Sequence, residues 1–202
     1  MLNIIDKTQF VQTPWKNGKG VTTELAISDG GTLDNFDWRI SIATVSENGA
    51  FSDFTGVERN LFLIAGNGIE LHHELNGIGK TDRLVNLLEH SSFYGSSKTT
   101  GTLVNGEIFD LNLMTKEGLY HVEIHAFVEP QLLHSPLNIR HDELLFIYAP
   151  DITLSQQQLA NLSLSTEQGE SEVARGALVK LTDDKLSNIS GELFILIKLS
   201  LA

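Results

Sequence analysis

The chain has no cysteine among its 202 residues. That removes disulfides, thiolate nucleophiles and every cysteine-ligated zinc or iron–sulfur site from consideration. Basic residues are also scarce: 14 Lys and Arg stand against 26 Asp and Glu, for a formal net charge of -12. Nucleic acid binding needs a basic stripe to neutralise phosphate, and an anionic membrane surface favours cations in the same way, so neither partner fits. No segment approaches the roughly 18 uninterrupted apolar residues of a membrane span. Residues Met1–Lys7 show no basic segment followed by an apolar run, so no secretory leader is expected and the cytoplasm is the default compartment. Helix signals are thin. Only Ser155–Leu164 (SQQQLANLSL) reads as a turn or two of helix, with Ser155 as its cap. There is no internal repeat and no Gly-x-Ser-x-Gly nucleophile elbow.

What is present is enough apolar material, 41% of residues, to bury a core and exclude global disorder. It comes as short alternating or apolar runs: Trp38–Val45, Asn60–Ala65, Gly68–Leu75, Arg83–Leu88, Glu107–Met114, Leu119–Phe127, Glu143–Ala149, Ala177–Leu181 and Glu192–Leu201. Gly, Asn, Asp and Ser clusters separate them, which is the pattern of an all-β sandwich or barrel. Asn105-Gly106 is the strongest two-residue hairpin candidate, with Asn76-Gly77 among the other turn signals. Ser96–Gly101 and Thr166–Ser171 read as exposed loops. A composition shift near Gly118 divides the chain into halves at 1–118 and 119–202.

The densest chemistry lies in Pro14–Leu25 (PWKNGKGVTTEL), which fits neither helix nor strand periodicity. Gly18 and Gly20 allow positive φ or close backbone approach to a ligand. Trp15 offers an apolar wall, while Lys16, Asn17 and Glu24 offer donors and acceptors for a small polar molecule. The same composition also suits a plain capping loop.

Several motifs occur in a fixed order over roughly the first 115 residues. They are Pro14–Gly18 with Thr22 and Glu24, Trp38–Ala43, Gly49-Ala50-Phe51-Ser52-x-Phe54-x-Gly56-x-x-Arg59, Gly66-x-Gly68-x-x-Leu71, Phe93-Tyr94-Gly95 and Asp110–Met114. Together they resemble the HutD/Ves family of bacterial proteins; from Leu119 onward the likeness is only in β-rich character. The resemblance implies a cupin-like β-barrel, duplicated into two packed halves, and links the chain to histidine utilisation or stress responses. No secure catalytic reaction comes with it. Lys19 stands where the family usually has Gly and Thr23 where Arg is common, so ligand identity does not transfer directly.

Strand alternation puts Arg39, Ser41 and Ala43 on one face, and Asp110, Asn112 and Met114 on one face of another strand. These polar faces either meet across a pocket or stand apart from it, exposed or tied by an Arg39–Asp110 salt bridge. Arg59 and Lys16 are the candidate anion clamp, the guanidinium through paired hydrogen bonds and the lysine as a point charge. For Arg59 the alternative is tying a loop to backbone carbonyls. Glu24 and Asp110 would accept bonds from an amide or imidazole, or orient the cations. His72 and His73 are adjacent, so a strand points them to opposite faces and they cannot share a metal. His121, Glu123 and His125 do share a face, but the apolar face opposite them is what a half-exposed strand produces, and no metal is expected.

The expected function is non-enzymatic binding of a small, carboxylate-bearing metabolite through Trp15, Lys16, Asn17, Glu24, Arg39, Ser41, Arg59, Asp110 and Asn112. No cofactor is expected. The family context adds a regulatory role in histidine utilisation and suggests histidine-breakdown intermediates as trial ligands. The alternative is a cupin enzyme, either metal-dependent through His121, Glu123 and His125, or metal-free with Glu24 or Asp110 as base. The apolar terminal strand Leu193–Leu201 leaves a homodimer open.

Overall fold

The computed structural model describes residues 1–15, 20–133, 137–151 and 159–202. Its strands group into two compact units, Phe10–Leu119 and Met1–Gln9 with Tyr120–Ala202. Composition alone assigns the first nine residues to the N-terminal half. The structure puts them with the C-terminal unit, because strand Leu2–Ile5 pairs with Leu178–Leu181. The all-β expectation is met: the described residues hold a single short helical turn, Lys7–Gln9.

In the unit Phe10–Leu119 six strands form one antiparallel sheet, in the order Val11–Pro14, Gly20–Ile27, Trp38–Val45, Ile108–Lys116, Val57–Ala65, His90–Tyr94. A second antiparallel sheet runs Gly49–Ala50, Lys98–Leu103, Ile69–Leu75, Ile78–Leu84. The two sheets share one core. Ala43, Val45, Leu61, Leu63 and Ile108 from the first meet Ile69, Leu71 and Leu84 from the second, with Trp15, Phe51, Phe93 and Leu103 packed around them. The other unit repeats the plan with a five-stranded sheet built on Glu143–Tyr148 and Phe194–Leu201, and a sheet built on Leu162–Thr166 and Asp184–Gly191. Its core includes Leu145, Ile147, Val179 and Leu196 from one sheet and Leu162, Leu164 and Ile189 from the other.

Several local expectations need correction. Asn105-Gly106 does not make a two-residue hairpin, since the flanking strands Lys98–Leu103 and Ile108–Lys116 lie in different sheets. Asn76-Gly77 does: Leu75 pairs with Ile78, and both turn residues have positive φ (53° and 80°). The segment 83–88 holds only the end of a strand that begins at Ile78. Lys98–Leu103 is a strand rather than a loop, and Thr166–Ser171 spans the turn between paired strands Leu162–Thr166 and Gly169–Val173. Of the helix expected at 155–164, residues 155–158 lie outside the described residues, and Leu162–Leu164 is strand.

Candidate functional site

The site is built on the inner face of the six-stranded sheet. Register sets Asn112 opposite Ser41 and Asp110 opposite Ala43 on one side, with Asn112 opposite Leu61 and Met114 opposite Arg59 on the other. Glu24 lies opposite Ser41 from the next strand. Period-two alternation therefore turns Glu24, Arg39, Ser41, Arg59, Asp110 and Asn112 toward the same interior as the core residues Ala43, Leu61 and Leu63. Two register irregularities fall beside these groups, one between Glu24 and Ala26 and one between Phe109 and Asp110. Bulges of that kind re-aim side chains next to functional sites.

The partners differ from the sequence expectation. Arg39 is held by Glu24, Nε to Oε2 at 2.7 Å, and not by Asp110. Asp110 accepts a hydrogen bond from the Asn112 amide nitrogen. Asn112 Oδ1 in turn accepts from Arg59 Nη2 at 2.7 Å, so the amide bridges acid and base. Arg59 also reaches the Ser52 carbonyl at 3.5 Å, which realises the loop-tying role in part. Its guanidinium lies 5.5, 5.6 and 5.0 Å from the rings of Phe51, Phe54 and Phe93, a cage of negative π-faces. Two buried polar atoms in this row have no partner among the described residues: Arg59 Nε, a donor, and Asp110 Oδ2. Orphaned buried atoms are uncommon, and a ligand or water is the usual reason for them.

Burial controls the charges. Asp110 is 0% exposed, and its carboxyl is pushed up to about 7 by burial, against the pull of Arg59 and Asn112. Arg59 is 4% exposed and pushed down to about 10 by burial, with Asp110 opposing and Arg39 adding to the fall. It remains a cation at neutral pH. Arg59 is one of the residues that line a groove of about 520 Å³, with Glu58, His73, Lys80, Phe93 and Tyr94 among the others. That volume suits a small-molecule site.

Trp15 sits half-buried against the core, its indole N–H donating to Thr22 Oγ1 at 2.8 Å. A side chain at Gly20 would strike the Thr44 carbonyl and the Trp15 ring, which is why glycine stands there. Lys16 and Asn17, with Gly18 and Lys19, lie outside the described residues, as does His134. His121, Glu123 and His125 lie on an exposed strand face, and Glu123 meets Lys198 at 3.4 Å. Among the described residues no group of three His, Asp or Glu side chains could hold a metal ion. Sequence reading missed His73, Phe51, Phe54 and Phe93 as site residues. The signal was available for His73: two adjacent histidines on a strand must send one inward, and it is His73, 4% exposed, while His72 is exposed and meets Thr81.

A model of the HutD family matches residues 7–183. A relative from Pseudomonas putida, an uncharacterized 21.2 kDa protein in the hutC 3' region, is 32% identical over 66% of this chain and 68% of its own length. Protein Ves from Citrobacter koseri is 37% identical over 50% of this chain, a match spanning 51% of that relative. A conserved protein of unknown function from Pseudomonas aeruginosa PAO1 superposes with a TM-score of 0.79 at 25% identity, over 100% of this chain and 98% of the other. HutD from Pseudomonas fluorescens SBW25 superposes at 0.76 with 24% identity over the full length of both, a likeness of fold. A cupin 2 conserved barrel domain protein from Leptotrichia buccalis superposes at 0.52 with 12% identity, over 90% and 88% of the two chains, again a likeness of fold alone. The fold is all-β and cupin-like.

Proposed function

Because the chain belongs to the HutD family, we propose that its unit Phe10–Leu119 binds a small polar metabolite through a carboxylate, without turning it over, and so takes part in regulating histidine utilisation. The observation that carries this reading is Arg59: a buried cation whose Nε has no hydrogen-bond partner among the described residues, in a residue that lines the groove. Asp110, linked to it through Asn112, offsets its charge only in part, because burial pushes that carboxyl up to about 7. Arg39 needs no ligand, since Glu24 already matches its charge. The rings of Phe51, Phe54 and Phe93 surround the guanidinium, and the low dielectric of such an apolar setting would strengthen its attraction for a carboxylate. Asp110 is fully buried, so it tunes Arg59 through Asn112 and does not itself line the groove. The histidine-utilisation context comes from the name of the Pseudomonas putida relative, which places it in the hutC 3' region; the regulatory role is our extension of that context.

The test is thermal unfolding of metal-free protein against histidine, urocanate, formiminoglutamate, formylglutamate and glutamate. A ligand at ~100 times its dissociation constant adds ~2.7 kcal/mol of stability. For a chain of this size that is a rise of roughly 5–11 °C. Arg59→Ala should abolish the shift. A flat panel removes these ligands, and a shift that survives Arg59→Ala removes the clamp.

A further inference from the structure

His73 lines the groove although it is 4% exposed. Its ring lies 4.3 Å from that of Phe93, and the Arg59 guanidinium lies 5.0 Å from the same ring. Both imidazole nitrogens are engaged, Nδ1 with Thr99 Oγ1 at 2.9 Å and Nε2 with Ser91 Oγ at 3.1 Å. Ser91 has one hydroxyl hydrogen, and it donates that hydrogen to Asp82 Oδ2 at 2.5 Å. Burial pushes the Asp82 carboxyl up, but hydrogen bonds from Lys80 and Ser91 outweigh it and hold the group below the ordinary carboxylate range. Ser91 Oγ must then accept from His73, which places a hydrogen on Nε2. Neutral His73 accepts from Thr99 at Nδ1.

A second proton also has a place. Protonated Nδ1 donates to Thr99 Oγ1, whose own hydrogen turns to the Ser97 carbonyl at 3.4 Å. The ring can therefore change charge without leaving a buried polar atom unpaired, with Asp82 3.7 Å away as counter-ion. In the free protein burial lowers the His73 pKa; Asp82 resists, while Lys80, Arg59 and His72 add to the fall. Asp82 and Lys80 face it from strand Ile78–Leu84, Arg59 from Val57–Ala65, and His72 is its own neighbour. An anion entering the groove would offset the cations and so oppose that fall.

We propose that His73 determines specificity in this groove, favouring ligands that set a second anionic group beside the His73–Phe93 pair while the first sits on Arg59, and that it takes up one proton as such a ligand binds. His73 acts by charge, because both nitrogens are committed to hydroxyls. A ligand whose second end is neutral gains nothing from the protonated ring. This inference rests on the Arg59 anion site of the preceding subsection.

Succinate, glutarate and adipate, each against its monoamide, test it by calorimetric titration into wild type, His73→Gln and Arg59→Ala. Titrations at about pH 6.5 and about pH 8 span the window in which histidine changes charge. One linked proton allows at most about a tenfold change in affinity per pH unit. The best diacid should bind wild type at least about fivefold more tightly at the lower pH, with proton uptake read from two buffers of different ionisation enthalpy. Its monoamide should change less, and His73→Gln should remove the excess. Asp110 titrates in the same range but acts on the Arg59-bound carboxylate common to both probes, so it cancels in the comparison. Equal pH dependence for diacid and monoamide overturns the role of His73 and leaves the Arg59 site standing. Absence of any Arg59-dependent binding overturns both. Should His73→Gln not fold, the His73 Cε1 proton resonance gives the same reading in wild type: its titration midpoint rises with diacid and not with monoamide. An unmoved midpoint overturns the proposal.

Discussion

Replacing Asp110 by Asn tests whether this interior stores a carboxylic acid near neutral pH. The folded carboxyl titrates at about 7, against an ordinary value of 3.8, because it is fully buried. A carboxyl whose folded pKa is raised stabilises the protein fully only below its unfolded value, and that stability is lost as pH rises through the folded one. Between about pH 5.5 and about pH 7 the unfolded carboxyl is ionised and the native one still carries the proton, so wild type should lose about 2 kcal/mol relative to Asp110→Asn and the difference then level off, the buried histidines titrating alike in both. The amide introduced by Asp110→Asn cannot ionise and lacks this slope, while its carbonyl can still accept from Asn112. Arg59 stays cationic throughout, being pushed down only to about 10. Urea denaturation at several pH values, read by tryptophan fluorescence, gives the difference directly. The protein has two tryptophans, Trp15 and Trp38, both in the unit that holds Asp110. Wild-type and Asp110→Asn stabilities that run parallel within ~0.5 kcal/mol across this window would show that Asp110 is ionised throughout, and the account of its burial would fail.

Gly95→Ala should destabilise by about 1–3 kcal/mol, because a Cβ there would lie 2.2 Å from the Phe54 carbonyl oxygen and backbone must move. The Phe54 ring walls Arg59, so ligand affinity should fall with it; unchanged denaturation would show that the contact relaxes freely. Glu24→Gln leaves Arg39, 8% exposed at its side chain, without its charge partner, and should cost roughly 1–3 kcal/mol in denaturant melts. Replacing His121 and His125 together by Ala should change stability by no more than ~0.5 kcal/mol and leave retained metal, measured after dialysis by elemental analysis, equal to wild type. A drop in metal content would restore that strand as a ligand set.

Much of the polar row was legible locally. Alternation along Trp38–Val45 and Ile108–Lys116 was enough to place Arg39 with Ser41 and Asp110 with Asn112. It could not say which charge meets which. Asp110 pairs with Ala43, four residues along the strand from Arg39, or about 14 Å at ~3.4 Å per residue, so a direct bridge is out of reach. Strand Gly20–Ile27 supplies Glu24 instead, and its segment had no recognisable strand pattern in the sequence. Lys98–Leu103 reads as a loop in the sequence because its inward positions are Thr99 and Gly101. Gly101 is small because Ile69 and Phe51 occupy the space its side chain would need. The hairpin at Asn76-Gly77 and the false one at Asn105-Gly106 share the same dipeptide, and only the sheet assignment separates them.

The sequence by itself determined the all-β class, the exclusion of cysteine chemistry, and the face on which Trp38–Val45 and Ile108–Lys116 carry their polar residues. Those are properties of composition and of a two-residue period, and both are local. Tertiary structure decided the rest: that Glu24, Arg39, Asp110, Asn112 and Arg59 come from consecutive members of one sheet, and that His73 approaches from the second sheet to share Phe93 with Arg59. Strand order is set by pairings between segments tens of residues apart, and by the one core that both sheets must bury, so no local pattern encodes it.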